Sequence, residues 1–402
     1  MKYKKPSLLH YRIAQMICGV VARVIFKCEI VRNEIRDKKG PFVVIANHQA
    51  AYDFANLIGL CKRPMHFVIS NSFYSSLPIK NFLDKIGVIP KQQFQTVIGD
   101  LKKIKSVVEA GEPLVIYPAG LMCEDGVSTT IPRATYKFLK WLGADIYVAK
   151  VSGTYFAMPK WGKGFRPGRT TMDVYQLFTK EELAEMDLET IQEKAEAALW
   201  FDAYREQEEL LVEYGKDQNI ENLESVLYIC PHCHGEYTLE IHNKDTISCK
   251  KCGYTQQSDK YGFFHLVKGP GEEIRYVSDW SKFIYQKTKE KMQAGENVLS
   301  ALTKIHIIDP SKNKFVEAGQ GTVTLSEEGF LLEGELNGEA VSIPVPIQGI
   351  PMIPFTPGRH IEIHKGKEIY RCVLEDGKLA TKFINMLKVF YETSDFMAAN
   401  KG

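Results

Sequence analysis

Four short runs of apolar, largely β-branched residues limit how this chain can fold: FVVIA (42–46), MHFVIS (65–70), LVIY (114–117) and IYVAKV (146–151). Each is too short for a buried helix and is bounded by turn or polar residues, so each reads as a buried strand. Amphipathic helical patterns lie between them, at about 52–60, 71–86, 96–110 and 134–143. The third ends at Gly111, and the fourth has Gly143 at its end. A basic, loop-like stretch (155–169) precedes a fifth strand, TTMDVYQLF (170–178). This alternation predicts an α/β domain with a mixed sheet and flanking helices. The acidic stretch 180–215 is expected as a long outer helix closing that domain.

The turn after the first strand carries Asn47-His48-Gln49-Ala50-Ala51-Tyr52-Asp53. Open α/β sheets place ligands at such strand ends. Two residues five apart do not share one helical face. A turn at 48–51 leading into a helix, however, brings Asp53 back under His48. The carboxylate then orients the imidazole through one nitrogen, and the other is free to take a proton. No serine or cysteine nucleophile sits in a strained GxSxG turn, so the pair suits a base acting directly on a substrate hydroxyl.

Asn47-His48…Asp53 after a strand resembles the first motif of the glycerolipid acyltransferases, the 1-acylglycerol-3-phosphate acyltransferase family. Gly87-Val88-Ile89-Pro90 resembles the start of the second motif. Ile116-Tyr117-Pro118-Ala119-Gly120 resembles the third, usually written F-P-E-G-T. Val148-Ala149-Lys150-Val151 with Gly153 resembles the fourth. The resemblance spans roughly residues 10–180. It implies transfer of a fatty acyl group from acyl-CoA or acyl-carrier protein to a lipid hydroxyl. His48 and Asp53 would be catalytic, and Asn47, Lys91, Pro118, Gly120 and Arg133 would contact substrate. Two departures fall where the family holds the acceptor's phosphate and glycerol. Gln93 stands for the second-motif Arg, and Ala119 and Leu121 stand for the Glu and Thr of the third; Glu124 follows in the same loop. Replacement phosphate ligands are sought among Lys91, Arg133, Lys160, Lys163, Arg166 and Arg169. An atypical acceptor is expected. The alternative is a weakened or inactive lipid- or partner-binding adaptor that keeps the fold.

Beyond this domain, Cys230-Pro231-His232-Cys233 and Cys249-Lys250-Lys251-Cys252 are separated by fifteen residues. Two such pairs bring four thiolates to a tetrahedral Zn²⁺ with no open position, which makes the role structural. The alternating segment between them reads as a hairpin, as in zinc ribbons, and His232, His234 and His242 read as non-ligands. Residues 226–256 lack a dense Arg/Lys stripe with aromatics, so no nucleic acid is expected as partner. Nine cysteines, an odd and scattered count, do not form a disulfide framework and point to the cytoplasmic side.

From about 301 the pattern becomes short alternating stretches: ALTKIHII, KFVEAG, GTVTLS, GFLLEG, AVSIPV, HIEIH and EIYRCVL, then one helix at about 377–392. A small β-barrel capped by a helix is expected, similar in architecture to pleckstrin-homology or GRAM domains. The expected organisation is 1–225 acyltransferase-like, 226–260 zinc ribbon, 261–300 helical linker and 301–402 β-rich.

Charge is uneven although the net is only +2. Residues 1–40 carry ten Lys/Arg against three Asp/Glu, and residues 181–225 carry fifteen acidic against three basic. The apolar run Ile13–Ala22, between Arg12 and Arg23, is about half the length needed to cross a bilayer. Lys27 and Glu29 follow where a signal peptide would have small residues. The segment therefore reads as an amphipathic helix in the membrane interface, with Lys2, Lys4, Lys5 and Arg12 near anionic headgroups. The expected location is peripheral, on the cytoplasmic face of a membrane.

Overall fold

A computed structural model describes residues 4–95, 97–216, 219–309, 311–312, 314–348 and 350–393. The chain divides into two compact units, Met1–Lys160 with Gly164–Lys216, and Trp161–Lys163 with Asp217–Gly402.

The first unit opens with α1 (Leu8–Val24), β1 (Cys28–Asn33), β2 (Phe42–Ala46), α2 (Phe54–Leu57), β3 (His66–Ser70), α3 (Asn71–Ser76) and α4 (Lys80–Lys85). It continues with β4 (Ile89–Lys91), α5 (Ile98–Glu109), β5 (Leu114–Ile116), α6 (Arg133–Leu142), β6 (Asp145–Ser152) and α7 (Thr154–Ala157). It ends with β7 (Thr170–Phe178), α8 (Lys180–Glu185), α9 (Leu188–Leu199) and α10 (Ala203–Leu210). The seven strands form one sheet in the order β1-β7-β6-β2-β5-β3-β4. Neighbours run parallel except β6 and β7. This is the expected mixed sheet.

All five residues of β2 are buried because both faces of the sheet are covered. Phe42, Val44 and Ala46 join Tyr11, Leu57 and Met65 on one side. Val43 and Ile45 join Ile104, Tyr136 and Ile191 on the other.

Several expected elements are shorter than their patterns. The helix expected over 71–86 is two short helices, because Leu77 is extended ahead of Pro78. The long helix expected over 180–215 is three. Thr179 caps α8 in a capping box with Glu182, and Asp187 and Asp202 cap α9 and α10.

Helix α1 packs one stripe inward. Tyr11 is buried, with its hydroxyl accepting the Met65 N–H, and the Gln15 amide donates to the Ile58 carbonyl. Its other side leaves Leu9, Met16, Ile17, Val20 and Val24 each more than half exposed. Lys4, Lys5 and Arg12 are exposed beside it, and Lys2 lies outside the described residues. Among the described residues no helix is long and apolar enough to cross a membrane.

In the second unit β8 (Leu239–His242), β9 (Thr246–Cys249), β10 (Thr255–Ser258) and β11 (Phe264–Lys268) form an antiparallel sheet in the order β11-β10-β9-β8. Helix α11 (Val277–Gln293) follows. Then come β12 (Leu299–Asp309), β13 (Lys314–Ser326), β14 (Gly329–Leu336), β15 (Glu339–Val345), β16 (Phe355–Thr356), β17 (His360–Lys365), β18 (Glu368–Leu374) and α12 (Leu379–Thr393). These strands form an antiparallel sheet ordered β15-β14-β13-β12-β18-β17-β16, and α12 buries Phe383, Ile384 and Leu387. The small barrel-like domain with a closing helix is thereby present.

KFVEAG and GTVTLS, expected as two strands, are the single strand β13. A Cβ on Gly319 would lie 1.8 Å from the Glu335 carbonyl oxygen, and one on Gly321 would lie 2.1 Å from that of Glu333. These glycines permit close strand approach rather than ending the strand. Buried Trp280 of α11 donates to the Ile229 carbonyl, and Glu236 of the cysteine-bearing segment pairs with Lys291 of α11 and Lys382 of α12. These contacts tie the segments expected at 226–260, 261–300 and 301–402 into one unit.

Candidate active site and metal centre

Strand β2 delivers the chain to its C-terminal end, where residues 47–53 turn before α2 begins. His48 Nδ1 lies 3.0 Å from Asp53 Oδ2. The same oxygen accepts the backbone N–H groups of Gln49 and Ala50 at 2.8 and 2.9 Å. A carboxylate only accepts, so this contact places the proton on Nδ1 and leaves Nε2 with its lone pair. Asp53 is 1% exposed, whereas a fifth of the His48 side chain is open to solvent. The imidazole is therefore the accessible member of the pair. The ring of Tyr117 lies on it, with centroids 4.3 Å apart.

Buried polar side chains fix the turn itself. Asn47 donates to the Val151 carbonyl and accepts the Val151 N–H, both at 2.8 Å. Both ends of its amide thus bond the Val151 backbone of β6. Fully buried Gln49 donates to the same carbonyl and accepts the Tyr155 N–H.

Two further loops, distant in sequence, join this turn. After β5, Tyr117-Pro118-Ala119-Gly120 makes a tight turn closed by Gly120 N–H to Tyr117 O at 2.9 Å; Gly120 has φ +71° and Pro118 is buried. The loop returns so that the Cys123 N–H donates to the His48 carbonyl. After β4, the Gln93 amide donates to the Gly120 carbonyl. The three sequence motifs thus meet at the C-terminal ends of parallel strands.

Lys91 closes β4 and donates to the Gln92 carbonyl. Burial pushes its ammonium below the usual lysine range, opposed by the charge of Asp100. Arg166 is buried, and desolvation lowers it as well. Of the other basic candidates, Arg133 begins α6 and pairs with Glu189, Arg169 pairs with Glu29, Lys160 is half-buried and Lys163 is exposed. Ala119 leaves no carboxylate at its position, Leu121 is buried, and Glu124 is buried in the same loop.

In the second unit the sulfurs of Cys230, Cys233, Cys249 and Cys252 all lie within 4.8 Å of one another. The Cys230–Cys252 and Cys233–Cys249 pairs are each at 3.7 Å. Tetrahedral Zn²⁺ with bonds of about 2.3 Å requires sulfurs about 3.8 Å apart, so the four thiols fit that ion. His242 bonds Ser248 and His234 lies against Phe283.

Sequence reasoning missed the structural role of Gln49 and the place of Tyr117 over His48. A polar residue ending the apolar run LVIY was the available signal for the latter.

Comparison with known proteins bears on both units. Residues 27–164 match the family model described as Acyltransferase. Residues 223–255 match a zinc-ribbon model described as DNA directed RNA polymerase, 7 kDa subunit. Among solved structures, the chain is similar to a 1-acyl-sn-glycerophosphate acyltransferase from Thermotoga maritima, at 17% identity and a TM-score of 0.40, covering 50% of this chain and 78% of that one. No curated protein matches the chain significantly. The first unit carries an acyltransferase-family domain, and the second carries a zinc ribbon.

Proposed function

We propose that the first unit transfers a fatty acyl group from acyl-CoA or acyl-carrier protein to a hydroxyl of a glycerolipid or lysophospholipid at a membrane surface. The observation that supports this reading best is the dyad: an accessible imidazole whose Nδ1 is held by a sealed carboxylate. His48 Nε2 takes the proton from the acceptor hydroxyl, and that oxygen attacks the thioester carbonyl. Asp53 holds the imidazolium while the tetrahedral intermediate exists. Collapse expels the thiolate, which receives the proton from His48. No metal enters these steps, and zinc serves the second unit's fold.

The exposed apolar side of α1, with its flanking cations, suits the interface of an anionic membrane. Such a setting keeps the protein peripheral, on the cytoplasmic face. Gln93 and Ala119 supply no charge where the family binds the acceptor's phosphate, so an acceptor lacking a terminal phosphate fits better. The same two residues favour, as the second reading, an adaptor that binds lipid without turning it over.

The test is acyl transfer on anionic vesicles loaded in turn with 1-acylglycerol-3-phosphate and with phosphate-free or headgroup-bearing lysolipids, read by mass spectrometry. Turnover of the latter group, with protein bound to the vesicles and partly released by salt, is expected. Rapid use of 1-acylglycerol-3-phosphate would contradict the acceptor reading. Turnover of none would favour the adaptor.

A further inference from the structure

Around the dyad several buried polar atoms have no partner among the described residues: Asp53 Oδ1, Tyr117 Oη, and both Oδ1 and Nδ2 of Asn56. An unmade hydrogen bond at a buried polar atom is costly, so such atoms call for an explanation. The three residues are neighbours. Tyr117 lies on the His48 ring, and His48 bonds Asp53. Asn56 is one turn beyond Asp53, with its backbone N–H donating to the Asp53 carbonyl, so their side chains share a face. The phenol of Tyr117 is pushed above its usual range first by burial and then by the charge of Asp53, so the two groups feel each other. All four atoms are sealed from solvent. Together they offer a carboxylate acceptor, a hydroxyl that donates, and an amide that does both. A water bound inside a protein needs about that many partners.

Resting on the proposed acyl-transfer reading, we propose that Tyr117 and Asn56 are positioning residues that, with Asp53 Oδ1, hold one internal water behind the catalytic pair. This network donates to the second oxygen of Asp53 and so fixes the carboxylate with Oδ2 aimed at His48. It also disperses the carboxylate's charge and thereby limits how strongly Asp53 favours the imidazolium. The other titratable groups on this side are the thiol of Cys123, which burial keeps protonated, and the carboxylates of Glu124 and Asp125 beside it. None of them is altered by the test.

Tyr117→Phe keeps the ring over His48 and removes only the hydroxyl. Without the donor, Asp53 binds a proton more readily and holds the imidazolium more tightly. Both effects move the acid limb of the pH–rate profile to higher pH, by roughly half a unit or more. Asn56→Leu, with the same number of side-chain heavy atoms, is expected to move the limb in the same direction. The decisive measurement needs no turnover: ¹⁵N-histidine NMR titration of His48, assigned by comparison with His48→Gln, in wild type and Tyr117→Phe. An upward shift in the His48 midpoint supports the network even if no acceptor is found. Superimposable His48 titrations in wild type and Tyr117→Phe, with melting temperature and zinc content intact, would overturn it. If Asn56→Leu does not fold, the Tyr117→Phe titration still decides the question.

Discussion

Asp53 accepts three N–H groups on one oxygen, and that single atom couples the shape of the turn to the orientation of the imidazole. Asn47 acts one step further out, tying the turn to β6 through the Val151 backbone. Asn47→Leu keeps the same number of side-chain heavy atoms but leaves the buried Val151 N–H unpaired, at a cost of about 1–3 kcal/mol, while the carbonyl keeps its bond from Gln49. A loss of several degrees in the first unit's melting temperature is expected, with zinc content unchanged. A melting temperature equal to wild type would show that water replaces the amide. At this scale the contact of His48 with Asp53 was legible and its support was not. His48 and Asp53 stand out because imidazole and carboxylate at a strand end have few other uses. Nothing local in the sequence reveals that Asn47 bonds a strand 104 positions away.

Elements follow local pattern wherever caps and apolar runs agree. FVVIA and TTMDVYQLF are strands with the expected bounds, and α6 ends at Gly143 in the left-handed conformation. Misreadings arose where one residue changes the backbone. Pro78 divides a continuous apolar pattern, and the caps Thr179, Asp187 and Asp202 divide an acidic one. Gly319 and Gly321 look like a break but serve close packing between strands. The short edge strand β4 was read only as a motif, since three residues carry no period. The zinc ribbon is the element whose stability rests most on one interaction, because four thiolates on two loops cohere chiefly through the metal. Chelation is expected to release residues 226–256 to protease and to loosen the pairing of Glu236 with Lys291 and Lys382. Added zinc should restore protection. A ribbon that stays protease-resistant after zinc is shown to be absent would mean that Trp280 and the flanking helices suffice.

For the whole molecule, the division into two compact units was only partly legible, because contacts such as Trp280 with Ile229 join segments that differ in composition. The chain thus carries an acyltransferase-family domain and, separately, a metal-held second unit. Removing the proposed base should silence the proposed acyl transfer without disturbing the second unit. The direct measurement compares wild type with His48→Ala in acyl transfer from acyl-CoA or acyl-carrier protein to the best lysolipid acceptor, at equal zinc content and equal melting temperature. A loss of about 10²–10⁴-fold in kcat, the usual contribution of a positioned base, is the result expected here. A His48→Ala protein that transfers acyl groups at the wild-type rate would contradict the assignment of His48 as the base.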